Sequence, residues 1–183
     1  MRKFGKTLLP ILPLIAGVFL GFFKISDLMI FTGDQGWFFL SARDLIVNHK
    51  IPLVGITASI TWLYQGAIFT YFLAPFLWLF KFNPLGGAVL TILFNLLAIV
   101  AIYKVGKNFF GEKVGVLAAL LFPTSPLIII HSRTAYHTSL IPLFALLFFW
   151  FLYKLIKESG KNLIWVALLL AILFQLELFH LYL

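Results

Sequence analysis

The sequence predicts an all-α polytopic membrane protein: about five transmembrane helices, a surface helix, and an interfacial or re-entrant helix in the first outer loop. Three observations predict it. The 183 residues are 62% hydrophobic and 11% charged, whereas soluble domains are about half apolar and about a quarter charged. The apolar residues fall in unbroken runs of roughly 17–25 residues, the length that crosses a hydrocarbon core as a helix. The basic residues sit in small groups at the ends of these runs, where orientation signals lie. That placement also argues against nucleic acid as the partner of a chain with formal charge +8. With no cysteine, a disulfide framework, a thiolate nucleophile and a cysteine zinc site are excluded.

The first run, 7–23, follows the basic start MRKFGK. A secretory signal begins the same way, but no small-x-small cleavage pattern follows, so the run reads as an uncleaved first span. Residues 24–83 read as an outer loop carrying surface helices. Four further spans are expected at 84–103, 115–131, 139–156 and 163–181, within a single membrane module.

The run 62–82 is also long enough to cross, and parity decides its role. If it crosses with the N-terminus inside, the groups Lys104–Lys113 and Lys154–Lys161 both face outward, against the positive-inside bias. If it lies in the outer interface or dips in and returns, all three basic groups are cytoplasmic. Tyr64, Gln65, Gly66, Tyr71, Pro75 and Trp78 suit that second reading, being interfacial aromatics and helix weakeners. The 24–63 loop, the His131–His137 turn and the Glu177 end of the last run then share the outer face.

The loop stretch FTGDQGWFFLSARDLIVNHK has a helical pattern from Asp34 onward. Trp37, Leu40, Ile46 and Val47, with Phe38, Phe39 and Leu45, form a broad apolar face. Ser41, Arg43, Asp44 and Asn48 supply polarity, as in a helix lying on a membrane surface. Thr32-Gly33 breaks the chain and sets Asp34 at the N-cap, where a carboxylate accepts orphan N–H groups. The same carboxylate, held ionised at a cavity by the lipid edge, suits a general base. The two roles are compatible.

The stretches GDQGWFFLSARDLIVNHKIPLVG, WLYQGAIFTYFLAPFLWLFKFNPLGG, KVGKNFFG and FPTSPLIIIHSRTAYHTSL together resemble the N-terminal module of the GT-C membrane glycosyltransferases. The branch most similar is the bacterial one related to protein O-mannosyltransferases and the lipid A aminoarabinose transferase. The resemblance runs from about residue 8 to the end. It rests on the order of features rather than on one sharp motif. It implies an integral protein of the cell (plasma or inner) membrane with a cytoplasmic N-terminus and an active site on the outer face. It implies a polyprenyl-phosphate sugar donor, a lipid, glycan or protein acceptor, and inverting transfer with Asp34 as base. It also implies a longer enzyme, of which this chain is expected to be a fragment.

Other positions carry over unevenly. Arg133 in HSR matches a family arginine; a guanidinium grips phosphate through paired hydrogen bonds, or it snorkels to the interface. His131 and His137 are candidates for binding phosphate or acceptor. Relatives often carry a second acidic residue after that arginine, and none stands in Thr134-Ala135-Tyr136-His137-Thr138. Tyr64 matches a segment that lines the cleft, or is a plain interfacial tyrosine. Glu177 in FQLELFH stands where the family usually has histidine. An ionisable residue inside a span is a functional candidate by default, though Gln175 and Glu177 also fit stabilisation by a neighbouring helix. Gly86-Gly87 suits close helix packing. No cofactor and no tightly held metal are expected. The rival class is a non-catalytic integral membrane protein: a lipid handler, transporter fragment or scaffold.

Overall fold

A computed structural model describes residues 9–57, 64–157 and 160–177. The basic group Arg2, Lys3 and Lys6, the first two positions of the 62–82 run and residues 178–181 of the last run lie outside these. The fold is all-α, and among the described residues the one β feature is an isolated antiparallel bridge between Thr57 and Tyr64. The helices are α1 (Leu12–Phe22), α2 (Ile25–Leu28), α3 (Gly33–Val47), α4 (Ile68–Leu79) and α5 (Leu85–Phe110). They continue as α6 (Glu112–Thr124), α7 (Pro126–Ser132), α8 (Ile141–Lys157) and α9 (Leu163–Leu176). A 3-10 turn, His137–Leu140, leads directly into α8.

Among the described residues, α5 and the unit His137–Lys157 are long and apolar enough to cross a membrane. The 26 residues of α5 reach about 39 Å at the α-helical rise, beyond the roughly 30 Å of a hydrocarbon core. The helices α1, α4 and α9 are apolar but shorter. The run 115–131 is not one straight helix: α6 and α7 meet at a 65° bend. Its cause is local. Proline disfavours the α region for the residue before it, and Ser125, ahead of Pro126, is extended at φ −66°, ψ 127°.

Ring contacts and close backbone approaches orient the bundle. At one end, Phe109 of α5 meets Trp150 and Tyr153 of α8, with centroids at 5.6 and 4.6 Å. Both helices therefore end together, and Lys104 and Lys107 share that end with Lys154 and Lys157. The sharp turn at Gly111 (φ 90°) starts α6 there too. It works because a side chain at Gly115 would stand 2.7 Å from the Lys107 backbone nitrogen. The opposite end holds the start of α5. There Gly87 is a packing position, since an added Cβ would lie 2.5 Å from Phe39 Cζ and 2.6 Å from Ala135 Cβ.

The 12 residues of α4 begin and finish at this second end. Gly66, just before α4, abuts Gln175 near the end of α9, and Phe76 of α4 with Phe80 just after it abut Gly86 at the start of α5. Lys81 and Phe82, both at positive φ, turn the chain back into α5.

The helix α3 lies across this end, and here two sequence expectations need correction. Asp34 is not the N-cap. Thr32 is, with extended backbone, and Asp34 sits within the first turn, where its charge still meets the positive helix end. The packed face also differs: Gln35, Phe38, Phe39 and Ala42 are buried, whereas Trp37, Leu40 and Val47 are exposed. The spacing i, i+3, i+4, i+7 is that of a helix seated on a core. That core includes Phe38, Phe69, Leu73, Leu90, Leu140 and Leu176.

Candidate active site

The site grows from the turn between α7 and α8. Thr91 of α5 donates its hydroxyl to the Ser132 carbonyl at 2.8 Å, and Ser139 donates to the Thr134 carbonyl at 3.0 Å. These bonds fix residues 132–139 over the start of α5. Phe38 of α3 packs edge-on to Tyr136 at 5.7 Å and lies 5.4 Å from the His137 ring. The surface helix is thus seated directly on the turn.

His137 is buried and its Nε2 lies 2.8 Å from Glu177 Oε2, with the Glu177 side chain 38% exposed. A histidine 40 positions before the carboxylate therefore holds it at the end of α9. Burial pushes the Tyr136 phenol above its ordinary value near 10, and the negative charges of Asp34 and Glu177 push the same way. The structure thus gathers Asp34, Tyr136, His137 and Glu177 at the end of the bundle away from the paired lysines. Two carboxylates 143 positions apart act on one phenol.

Tyr64 stands between two cavities. One, of about 260 Å³, is lined by Tyr64, Gln65, Gly66, Gln175 and Glu177. The other, of about 480 Å³, lies beneath the second stripe of α3, where Trp37, Leu40, Ser41 and Asp44 line it with Lys50. Asp34 is exposed and is not among the lining residues of either. The wall between them is tied in place: Gly55 N–H donates to the Gln65 carbonyl at 2.7 Å, Gln65 N–H donates to Ile56 at 2.9 Å, and the Tyr71 hydroxyl donates to the Pro52 carbonyl at 2.7 Å.

Arg133 is buried. Its Nη2 donates to the carbonyls of Leu20 and, at 3.1 Å, Phe23, and its Nε donates to Gly21 at 3.3 Å. It satisfies the carbonyls that the end of α1 leaves unpaired. His131 is exposed on α7. Among the described residues there is no group of three or more histidine and acidic side chains placed to hold a metal ion.

Sequence reasoning did not single out Tyr136 or Gln35. Gln35 is 1% exposed, with its amide oxygen buried and unpartnered among the described residues. Its signal was its place one residue after Asp34, on the stripe that continues through Phe38.

The fold defines the class as an all-α polytopic membrane protein, and carboxylates lie at one end of its bundle. A family model described as dolichyl-phosphate-mannose-protein mannosyltransferase matches residues 65–182, well over half of the chain. The chain belongs to that family and is a membrane glycosyltransferase of the GT-C kind. No match was found among curated proteins, and none among solved structures. Gln65, His131, Arg133, His137 and Glu177 fall inside the matched residues, while Asp34 and Tyr64 precede them.

Proposed function

We propose that the protein transfers a sugar from a polyprenyl-phosphate donor to an acceptor on the outer face of the membrane, with inversion and with Asp34 as general base. The family description names dolichyl-phosphate mannose and protein, which supports a lipid-phosphate sugar as donor. The observation that carries the reading is the grouping of lysines at one end of the bundle. Asp34 and Glu177 lie near enough to Tyr136 to raise its phenol at one end of the bundle, beside Arg43, Lys50 and Arg133, and the lysines of α5 and α8 gather at the other with one described carboxylate, Glu112. Lysine-rich ends face the cytoplasm, so this polarity supports an outward site in the plasma or inner membrane. The two ends of α4 packed on the site side support reading it as interfacial or re-entrant.

In the reaction, Asp34 takes the proton of an acceptor hydroxyl or amine as that atom bonds to the anomeric carbon. The bond from that carbon to the phosphate oxygen breaks with its electron pair, and polyprenyl phosphate leaves. The donor's tail stays in lipid, while the two cavities that meet at Tyr64 give room for sugar-phosphate and acceptor. His137 keeps Glu177 directed to the smaller cavity, where a carboxylate binds sugar hydroxyls.

The test is transfer from radiolabelled polyprenyl-phosphate sugar by the full-length protein in membranes. Asp34→Asn is expected to lower the rate by about 10²–10⁴-fold, the usual worth of a general base, with insertion unchanged. Normal transfer by that variant would remove Asp34 from the role. Release of polyprenyl phosphate with no glycosylated product would favour hydrolysis or lipid handling instead.

A further inference from the structure

The far end of the bundle holds a feature that sugar transfer does not use. A groove of about 590 Å³ runs between α5 and α8. Its polarity is graded along the axis. On α5 the wall passes from Leu97, Val100 and Ala101 to Tyr103, Lys104 and Lys107, and on α8 from Leu143 and Leu147 to Trp150. The ten helical steps from Leu97 to Lys107 extend about 15 Å at the α-helical rise. Because both helices run toward the same end, their apolar and polar halves lie side by side.

The ammonium groups at the polar end are held by the aromatic walls. Lys107 Nζ donates to the Tyr103 hydroxyl at 3.3 Å and lies 5.6 Å from that ring's centroid. Lys154 Nζ lies 5.2 Å over the Trp150 ring. Lys104 and Lys107 are exposed. Six lysines (104, 107, 113, 154, 157 and 161) stand at this end against one carboxylate among the described residues, Glu112, which is close enough to act on Lys107.

We infer that this groove binds one anionic phospholipid, its acyl chain along Leu97, Val100, Leu143 and Leu147 and its phosphate headgroup at Lys104 and Lys107. The occupant follows from charge and direction. A graded groove fits a molecule with an apolar tail and an anionic head, and basic pockets between membrane helices bind such headgroups. A second copy in the same membrane shares its orientation and brings lysines to lysines, which repel. A purely apolar helix would bring no anion to the two ammonium groups, which have one described carboxylate, Glu112, near them.

The test uses the full-length protein purified with endogenous lipid and re-equilibrated with mixed phosphatidylglycerol and phosphatidylcholine, with bound lipid counted by native mass spectrometry. Selective retention of phosphatidylglycerol is expected. In the double variant Lys104→Gln, Lys107→Gln, retention should fall about fivefold per lysine and about twenty-five-fold in all. Lys113→Gln with Lys161→Gln removes equal charge outside the groove and should leave retention unchanged. Leu97→Trp fills the apolar half without changing charge and should lower retention too. Equal loss in the two lysine pairs, full retention in Leu97→Trp, or no preference for the anionic lipid would overturn the assignment. So would a disulfide dimer formed through Val100→Cys. Sugar transfer is not a readout here, so the outcome is independent of the proposed reaction.

Discussion

The imidazole of His137 and the carboxylate of Glu177 lie 2.8 Å apart, joining the turn after α7 to the end of α9. The histidine side is buried and the glutamate side is partly open to the smaller cavity. Removing the histidine leaves the carboxylate without this partner. His137→Ala and Glu177→Ala, alone and combined, should show a coupling of about 1 kcal/mol, reduced from the value for buried charged bonds because Glu177 is partly exposed. Unfolding followed in detergent measures it. Additive losses would show that the pair contributes nothing as a pair.

Arg133 and α1 form the second testable link. Three carbonyls near the end of α1 accept bonds from one guanidinium. Arg133→Ala should destabilise the protein by about 2–4 kcal/mol, because buried acceptors lose a charged donor. Arg133→Lys should recover part of that, since one ammonium cannot reproduce the guanidinium fork. Thermal unfolding ranks the three proteins. An unchanged midpoint for Arg133→Ala would show that the contact carries no load.

Tyr136 gives a pH-dependent signature. Burial, then Asp34, then Glu177 raise its phenol above the ordinary value near 10. The folded state thus keeps the proton that the unfolded state gives up. Stability from this group is intact below that ordinary value and is lost as pH rises from there toward the folded value. Asp34→Asn removes one of the charges and should lower the Tyr136 titration, read as phenolate absorbance against a Tyr136→Phe blank. An unmoved titration would mean that Asp34 and Tyr136 do not communicate.

Gly66 sets the distance between the start of α4 and the end of α9. A Cβ there would lie 2.5 Å from Gln175 Cβ and 2.7 Å from the Gln175 Cα and carbonyl oxygen. Gly66→Ala should therefore shift the last turn of α9 and with it Glu177. Increased alkylation of a Gln175→Cys reporter in the Gly66→Ala background is the expected result. Equal labelling would show that the helices separate without effect.

Sequence reading reached the architecture because membrane solvation is written in run length and lysine placement. It missed where local pattern is silent. The stripe Trp37, Leu40, Ser41 and Asp44 and the stripe Gln35, Phe38, Phe39 and Ala42 each mix large apolar with polar side chains. Hydropathy cannot choose between them, and only packing on Tyr136 and His137 does. Arg133 was legible as a cation by the site, but the carbonyls it meets lie at least 110 residues earlier. His137 and Glu177 were each noticeable, yet nothing in their 40-residue separation announces a bond. The break at Ser125 was written plainly in Pro126, although hydropathy averaged over it.

The tie from Arg133 to α1 makes the first helix a lever. Membrane helices answer a change in bilayer thickness by tilting, and a tilt of α1 pulls on residue 133. Tyr136 and His137 follow three and four positions later, so one short segment joins the end of α1 to the turn that carries the Glu177 partner.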